Sequence, residues 1–186
     1  MARPARIDRA AILDAALAIA DTDGLAAVSM HAVARRLGVT AMALYRHLDG
    51  KDALLDGLVE RLLTAVPVPA RGTWEQRLTA MAGGLREVAR RHPAPFPLLL
   101  TRPAVTPAAQ RTRRAVVAAL REAGLAEEAA VRAERLLSSA VLGFAVSEAA
   151  GRFRQHDQAT LDQDFDHLLA WLGQAVTGPG TPSPVR

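Results

Sequence analysis

The chain has 186 residues, half of them hydrophobic but only 4% aromatic, and it contains no cysteine. These values exclude a disulfide framework and cysteine-based zinc sites, and an apolar set dominated by Ala and Leu favours packed helices over sheets. The formal net charge of +4 permits a polyanionic partner, but 19 acidic side chains against 23 basic ones mean that any nucleic-acid site is a local arrangement.

The first residues, MARPARIDRA, hold no apolar run that would serve as a signal peptide. No stretch approaches the roughly 20 apolar residues of a membrane span. A cytoplasmic protein is expected.

In residues 7–21, Ile12, Ala16, Ile19 and Ala20 share one helical stripe, with Asp8 suited to cap it and Ile7 to staple onto Ile12. Asp23-Gly24 ends that helix. A related start signal then recurs at Val28-Ser29, Val39-Thr40 and Leu48-Asp49, each apolar residue having a partner one turn in, at Val33, Leu44 and Ala53. Asp52 adds an approximate capping box to the last of them. The three signals predict short helices over 30–37, 41–47 and 50–64, the first two joined through Gly38, which is a helix-turn-helix.

Val33, Leu37, Leu44 and Leu48 supply the inward face. The outward face of 41–47 then carries Ala41, Met42, Tyr45 and Arg46, a small, apolar and basic mixture unlike an ordinary solvated helix. Lys51, the single lysine, falls in the first turn of the next helix, where the macrodipole disfavours it and a bound phosphate would reverse that cost.

The run GLAAVSMHAVARRLGVTAMALYRHLDGKDALLDGL, above all its LGV turn, its LYRH segment and its GKDALL helix start, resembles the DNA-binding domain of the TetR family of bacterial transcriptional repressors. The resemblance implies an all-α fold: a three-helix DNA-binding head joined by a fourth helix to a helical ligand-binding and dimerisation body. It further implies a homodimer, a double-stranded operator of two-fold symmetry, and a small-molecule inducer.

Carried onto this sequence, the resemblance gives Tyr45, His47 and Lys51 to the phosphate backbone, with Ser29 both capping its helix and donating to phosphate. Thr40, Ala41 and Met42, at the start of the recognition helix, face bases, and Arg46 is open to either a guanine edge or a phosphate. His31 stands where relatives often carry a base-reading arginine, a departure that weakens discrimination there. Arg3 and Arg6 lie in an arm suited to a minor groove or to loose attraction by a polyanion.

The head is expected over 1–50, the body over 51–177, and a disordered tail over 178–186. Pro67 and Pro69 stop the fourth helix, after which helical patterns cover 74–92, 107–123, 127–152 and 160–176. Candidates for the pocket lining are Trp74, Leu78, Met81, Phe96, Leu100, Val117, Leu120, Leu137 and Phe144, with His92 and Arg102 as polar anchors. For the dimer interface, Ser139, Ala140, Gly143 and Ala150 permit close approach, while Leu168, Trp171 and Leu172 bury area.

Two competing readings have features to weigh. HDQATLDQDFDH gathers His156, Asp157, Asp162, Asp164, Asp166 and His167, with Asp164 and His167 three apart on a helix, but acids near a helix start have a dipole explanation as well. No metal and no cofactor is assigned. Without a nucleophile–base pair or a glycine-rich phosphate loop, catalysis has no carrier, and the protein is expected not to be an enzyme. A DNA-binding regulator without ligand control is the other alternative.

Overall fold

The computed structural model describes residues 7–178. Arg3, Arg6 and residues 179–186 of the tail lie outside them. Among the described residues the chain is helical and contains no strand. In chain order the helices are α1 (Arg9–Asp23), α2 (Met30–Leu37), α3 (Ala41–Leu44), α4 (Gly50–Thr64), α5 (Trp74–Arg91), α6 (Leu98–Thr101), α7 (Pro107–Glu122), α8 (Glu127–Ala149) and α9 (Gln158–Thr177). A single 3-10 turn, Leu25–Ala27, links α1 to α2.

Local chemistry sets most of these boundaries. Asp8 accepts the Ala11 N–H at 2.8 Å, Ser29 the Ala32 N–H at 3.1 Å, and Thr40 the Ala43 N–H at 3.4 Å. Gly38 takes the left-handed conformation, φ 69°, which lets the chain leave α2 and enter α3 within three residues.

One predicted helix ends early and one predicted cap does not form. The α-helical ladder of α3 stops at Leu44 rather than at residue 47, and Tyr45, Arg46 and His47 form a tighter turn closed by the His47 N–H on the Leu44 carbonyl at 2.9 Å. Asp49 makes no capping bond, because Gly50 adopts φ 87° and turns the backbone so that its own N–H meets the Leu48 carbonyl. A true capping box forms instead at Thr73 and Gln76, each side chain bonded to the other's backbone N–H at 3.3 and 3.1 Å.

α4 packs on α1 and α2 on one side and on α6 and α7 on the other. Its Leu54, Leu58 and Leu62 are buried in one continuous core that runs from Ile12 in α1 to Ala145 in α8. Gly57 is where α4 meets Leu13 of α1, and a Cβ there would overlap the leucine side chain. The body is assembled mainly from α5 and α7 packed on α8, with α9 closing one side.

Polar contacts tie α1 and α4 to the later helices, and they account for two residues that the sequence suggests for the pocket. His92, at the end of α5, has Nδ1 2.9 Å from Asp21 of α1. Arg102, just after α6, donates to Asp56 at 2.5 Å and to Asp52 at 3.3 Å, both on α4. Neither anchors the body cavity. Glu60 of α4 accepts the Ala108 N–H at 2.9 Å, placing a carboxylate at the positive end of α7.

Inside the body, Arg86 donates twice to Glu148, at 2.7 and 2.9 Å, and once to the Leu161 carbonyl at 2.8 Å. Its guanidinium lies 4.7 Å from the Phe165 ring centre and 5.5 Å from that of Phe144. Arg90 joins the same cluster, bonding Glu148 at 2.8 Å and Asp162 at 2.9 Å. Burial pushes the Glu148 carboxyl up, but hydrogen bonds from Arg86, Arg90 and Gln158 outweigh it and hold the group below its ordinary value of 4.5.

Three outcomes follow from the packing. Gly84 of α5 faces Pro67 so closely that a Cβ would overlap the rigid pyrrolidine ring. Gly84→Ala therefore destabilises the protein by about 1–3 kcal/mol, despite alanine's better helix propensity, and thermal unfolding reads the loss. Arg102→Ala costs about 1 kcal/mol by stranding Asp56, read by urea unfolding. Because the Glu148 carboxyl is depressed in the folded state, its contribution is complete above about pH 4.5 and is lost as pH falls through the folded value. Glu148→Gln thus costs about 3 kcal/mol near neutral pH, and unfolding curves of variant and parent converge in acid.

Candidate nucleic-acid interface and body cavity

The Gly38 turn lays α3 against α2, with Val33, Leu44 and Leu48 buried and Leu37 half-buried. What remains on the outer side is unusual for a short solvated helix. Met42 is 73% exposed and Tyr45 49% exposed, while Thr40, Arg46, His47 and Lys51 are all exposed. Ala41 and Ser29 are half-buried, and His31 is exposed one position into α2. Lys51 stands in the first turn of α4, with Tyr45 and His47 in the short connection that precedes it.

Four acids of α1 and α4 have partners. Asp14 is held by Arg61, Asp21 by His92, and Asp52 and Asp56 by Arg102. By contrast Arg35, Arg36, Arg46 and Lys51 have no carboxylate partner among the described residues. Among the described residues the surface near α3 therefore carries four cations without a carboxylate partner against one unpaired acid, Asp49. Arg35 and Arg36 were not assigned a role from sequence, since two arginines in the last turn of a helix already have a dipole explanation. Only the missing partners single them out.

A cavity of about 520 Å³ opens in the body between α5, α7, α8 and α9. Of the suggested lining, Trp74, Leu78, Met81 and Leu137 border it, together with Leu172 from the set suggested for the dimer interface. Thr79, Ser138, Val141, Asp166 and Leu169 are among the wall residues that were not suggested. The other suggestions lie elsewhere. Phe96 is fully buried in the core shared with the head, and Leu120 is buried with Ala130 and Val176, where Val117 packs beside it. Phe144 stacks between Phe153 and Phe165 at 5.6 and 5.4 Å, and Leu100 is exposed. Periodicity marks a side chain as inward; it does not say which inward volume receives it.

On α8 and α9, Trp171 is 69% exposed, Ser139 and Ala150 are exposed, and Ala140, Gly143 and Leu168 are half-buried. Leu136, large, apolar and exposed, belongs to the same surface inventory but was not singled out. In the acidic segment, Asp157 caps α9 by accepting the Thr160 N–H at 2.8 Å, and Asp162 pairs with Arg90. Among the described residues no group of three His, Asp or Glu side chains is arranged to hold a metal, and no helix is long and apolar enough to cross a membrane.

The model for bacterial regulatory proteins of the tetR family matches residues 12–58, which span the head and most of α4. A second model, the tetracyclin repressor-like C-terminal domain, matches residues 78–172. The chain is 32% identical over 157 residues to the transcriptional repressor DrrR1 of Streptomyces coeruleorubidus, covering 83% of this chain and 58% of that one. It thus spans somewhat over half the length of that relative. Among solved structures it resembles ActR of Streptomyces coelicolor in complex with (S)-DNPA, at 25% identity and a TM-score of 0.80, over 95% of this chain and 100% of that one. BioQ of Mycobacterium smegmatis gives 25% identity and a TM-score of 0.82, over 94% and 100% of the two chains. BioQ with its natural double-stranded DNA operator gives 25% and 0.78, over 93% and 99%. With both halves matched in their expected order, and the helix-turn-helix formed where the first match falls, the chain belongs to the TetR family of bacterial regulatory proteins.

Proposed function

We propose that the protein is a transcriptional repressor that binds a palindromic operator as a homodimer and is released from it by a small-molecule inducer. The observation that carries the reading is the grouping of Tyr45, His47 and Lys51, all exposed, beside an exposed α3 in a head whose nearby cations lack carboxylate partners. The phenol, imidazole and ammonium groups donate to phosphate oxygens and fix the register, with Ser29 assisting. Thr40, Ala41 and Met42 meet base edges and thymine methyls in the major groove, and His31 and Arg46 lie at the margins of that contact.

In this reading residues 1–50 form the DNA-binding head and 51–177 the regulatory body, and no catalytic role is assigned. Such a regulator works where operator DNA lies, in the bacterial cytoplasm. The exposed Trp171, with Ser139, Ala140, Gly143, Ala150 and Leu168, suits pairing of α8 and α9 with a second copy. A dimer sets two copies of α3 into successive major grooves about 34 Å apart. A ligand in the body cavity shifts the helices around it, α4 transmits the shift through the shared core, and the separation of the two heads changes. Linkage then requires DNA to weaken ligand binding by the same factor.

Fluorescence anisotropy with a duplex from the protein's own upstream region tests the interface. Lys51→Ala weakens binding to all sequences and lowers the slope of log affinity against log salt by about one unit. Unchanged affinity and slope in that variant would reject the assignment.

A further inference from the structure

We infer that the body cavity is a site for an apolar organic cation. The inference deepens the ligand-control reading, and rests on it for the consequence at the operator, while binding itself is measured separately. The wall is largely hydrocarbon, from Leu78, Met81, Leu137, Leu169 and Leu172, with the Trp74 indole at one end. Two charged side chains lie on it, Glu75 and Asp166, and both are carboxylates. Neither has a basic partner or a hydrogen bond from a side chain among the described residues.

Cations near this wall are already committed. A smaller cavity of about 300 Å³ adjoins the first, sharing Thr79, Asp166 and Leu169, and is lined by Arg86, Arg90 and Glu87. Arg86 and Arg90 are consumed by Glu148 and Asp162, and Glu87 by Arg91. From α5 Arg77 pairs through Nη2 with Glu122, its buried Nε making no hydrogen bond among the described residues, and from α7 Arg113 pairs with Glu134 at 3.3 Å. The remaining polar groups on the main wall, Thr79, Ser138, Gln174 and Thr177, are neutral. The charge left facing the cavity is negative.

Local structure explains one of the two acids. Glu75 lies in the first turn of α5, where a carboxylate complements the helix dipole. Asp166 is not placed by the dipole: it is solvent-exposed in the middle of α9, away from the cap at Asp157, and it lines the smaller cavity beside Arg86 and Arg90 without forming an ion pair with either. On an apolar wall, an unpaired carboxylate is favourable once a cation fills the space and the local dielectric falls. The indole face of Trp74 adds attraction for the same charge. A cavity of about 520 Å³ falls in the range that holds drug-sized ligands. An anion would be desolvated beside two carboxylates with no free cation to receive it.

Tetraphenylphosphonium and tetraphenylborate, close in shape and opposite in charge, test this by calorimetric titration of the full chain. The phosphonium is expected to bind at least about tenfold more tightly than the borate. Neutralising the wall with Asp166→Asn and Glu75→Gln, both at exposed positions that leave the core intact, is expected to remove most of that preference while the borate binds as well or better. Equal binding of the two ions, a preference for the borate, a preference that survives both substitutions, or no binding of either ion by folded protein would overturn the inference. Repeating the duplex titration with phosphonium bound is a separate readout. Duplex affinity unchanged by a bound cation counts against ligand control alone.

Discussion

The double burial of α4 is the constraint on which the rest of the molecule depends. Leu54, Leu58 and Leu62 are each removed almost completely from water, yet they lie in a core drawn from α1 and α2 on one side and from α6 and α7 on the other. A helix buried on two sides cannot tilt with one neighbour without disturbing the other, because interiors are close-packed and transmit strain. Gly57 tightens the arrangement by letting α4 approach Leu13 without an intervening methyl group. The head is thus fastened to the body through hydrocarbon, and the ion pairs at its edge act on an element already held.

Those ion pairs have a second effect. Asp14, Asp21, Asp52 and Asp56 are bonded by Arg61, His92 and Arg102, so these four acids of α1 and α4 have partners while the cations near α3 do not. Two of the three partner groups, His92 and Arg102, come from beyond α4, while Arg61 is on α4 itself. The body contributes to the electrostatics of a surface it does not touch, and the position of α6 bears on how much negative charge stands next to Lys51.

A similar division holds inside the body. The buried Arg86–Glu148 pair, with Arg90 and Asp162, closes its own charge and bonds the Leu161 carbonyl, so it fixes how α5, α8 and α9 meet. The Phe144, Phe153 and Phe165 rings gather beside it. This end is rigid and satisfied. The cavity opens farther along the same helices, where Trp74, Leu78 and Leu137 leave space and the acids on the wall have no partners.

What the sequence by itself determined was local. Helix starts at Ser29 and Thr40 and the turn at Gly38 depend on groups three or four residues apart, and the motif they form was legible before any coordinates. Even there a local rule failed at Asp49, where the positive φ of Gly50 overrode a capping pattern. Contacts between residues distant in the chain were decided only by the tertiary structure. His92 and Arg102 read as pocket anchors because their partners, Asp21, Asp52 and Asp56, lie tens of residues away. Phe96, Leu120 and Leu78 carry the same apolar signal, yet Phe96 fills a shared core, Leu120 is buried in a satellite core, and Leu78 packs on that satellite core and borders the cavity as well, since hydrophobic periodicity encodes direction and not destination. Pairing, cavity shape and the charge left unpaired are properties of how helices meet, and no window of consecutive residues contains them.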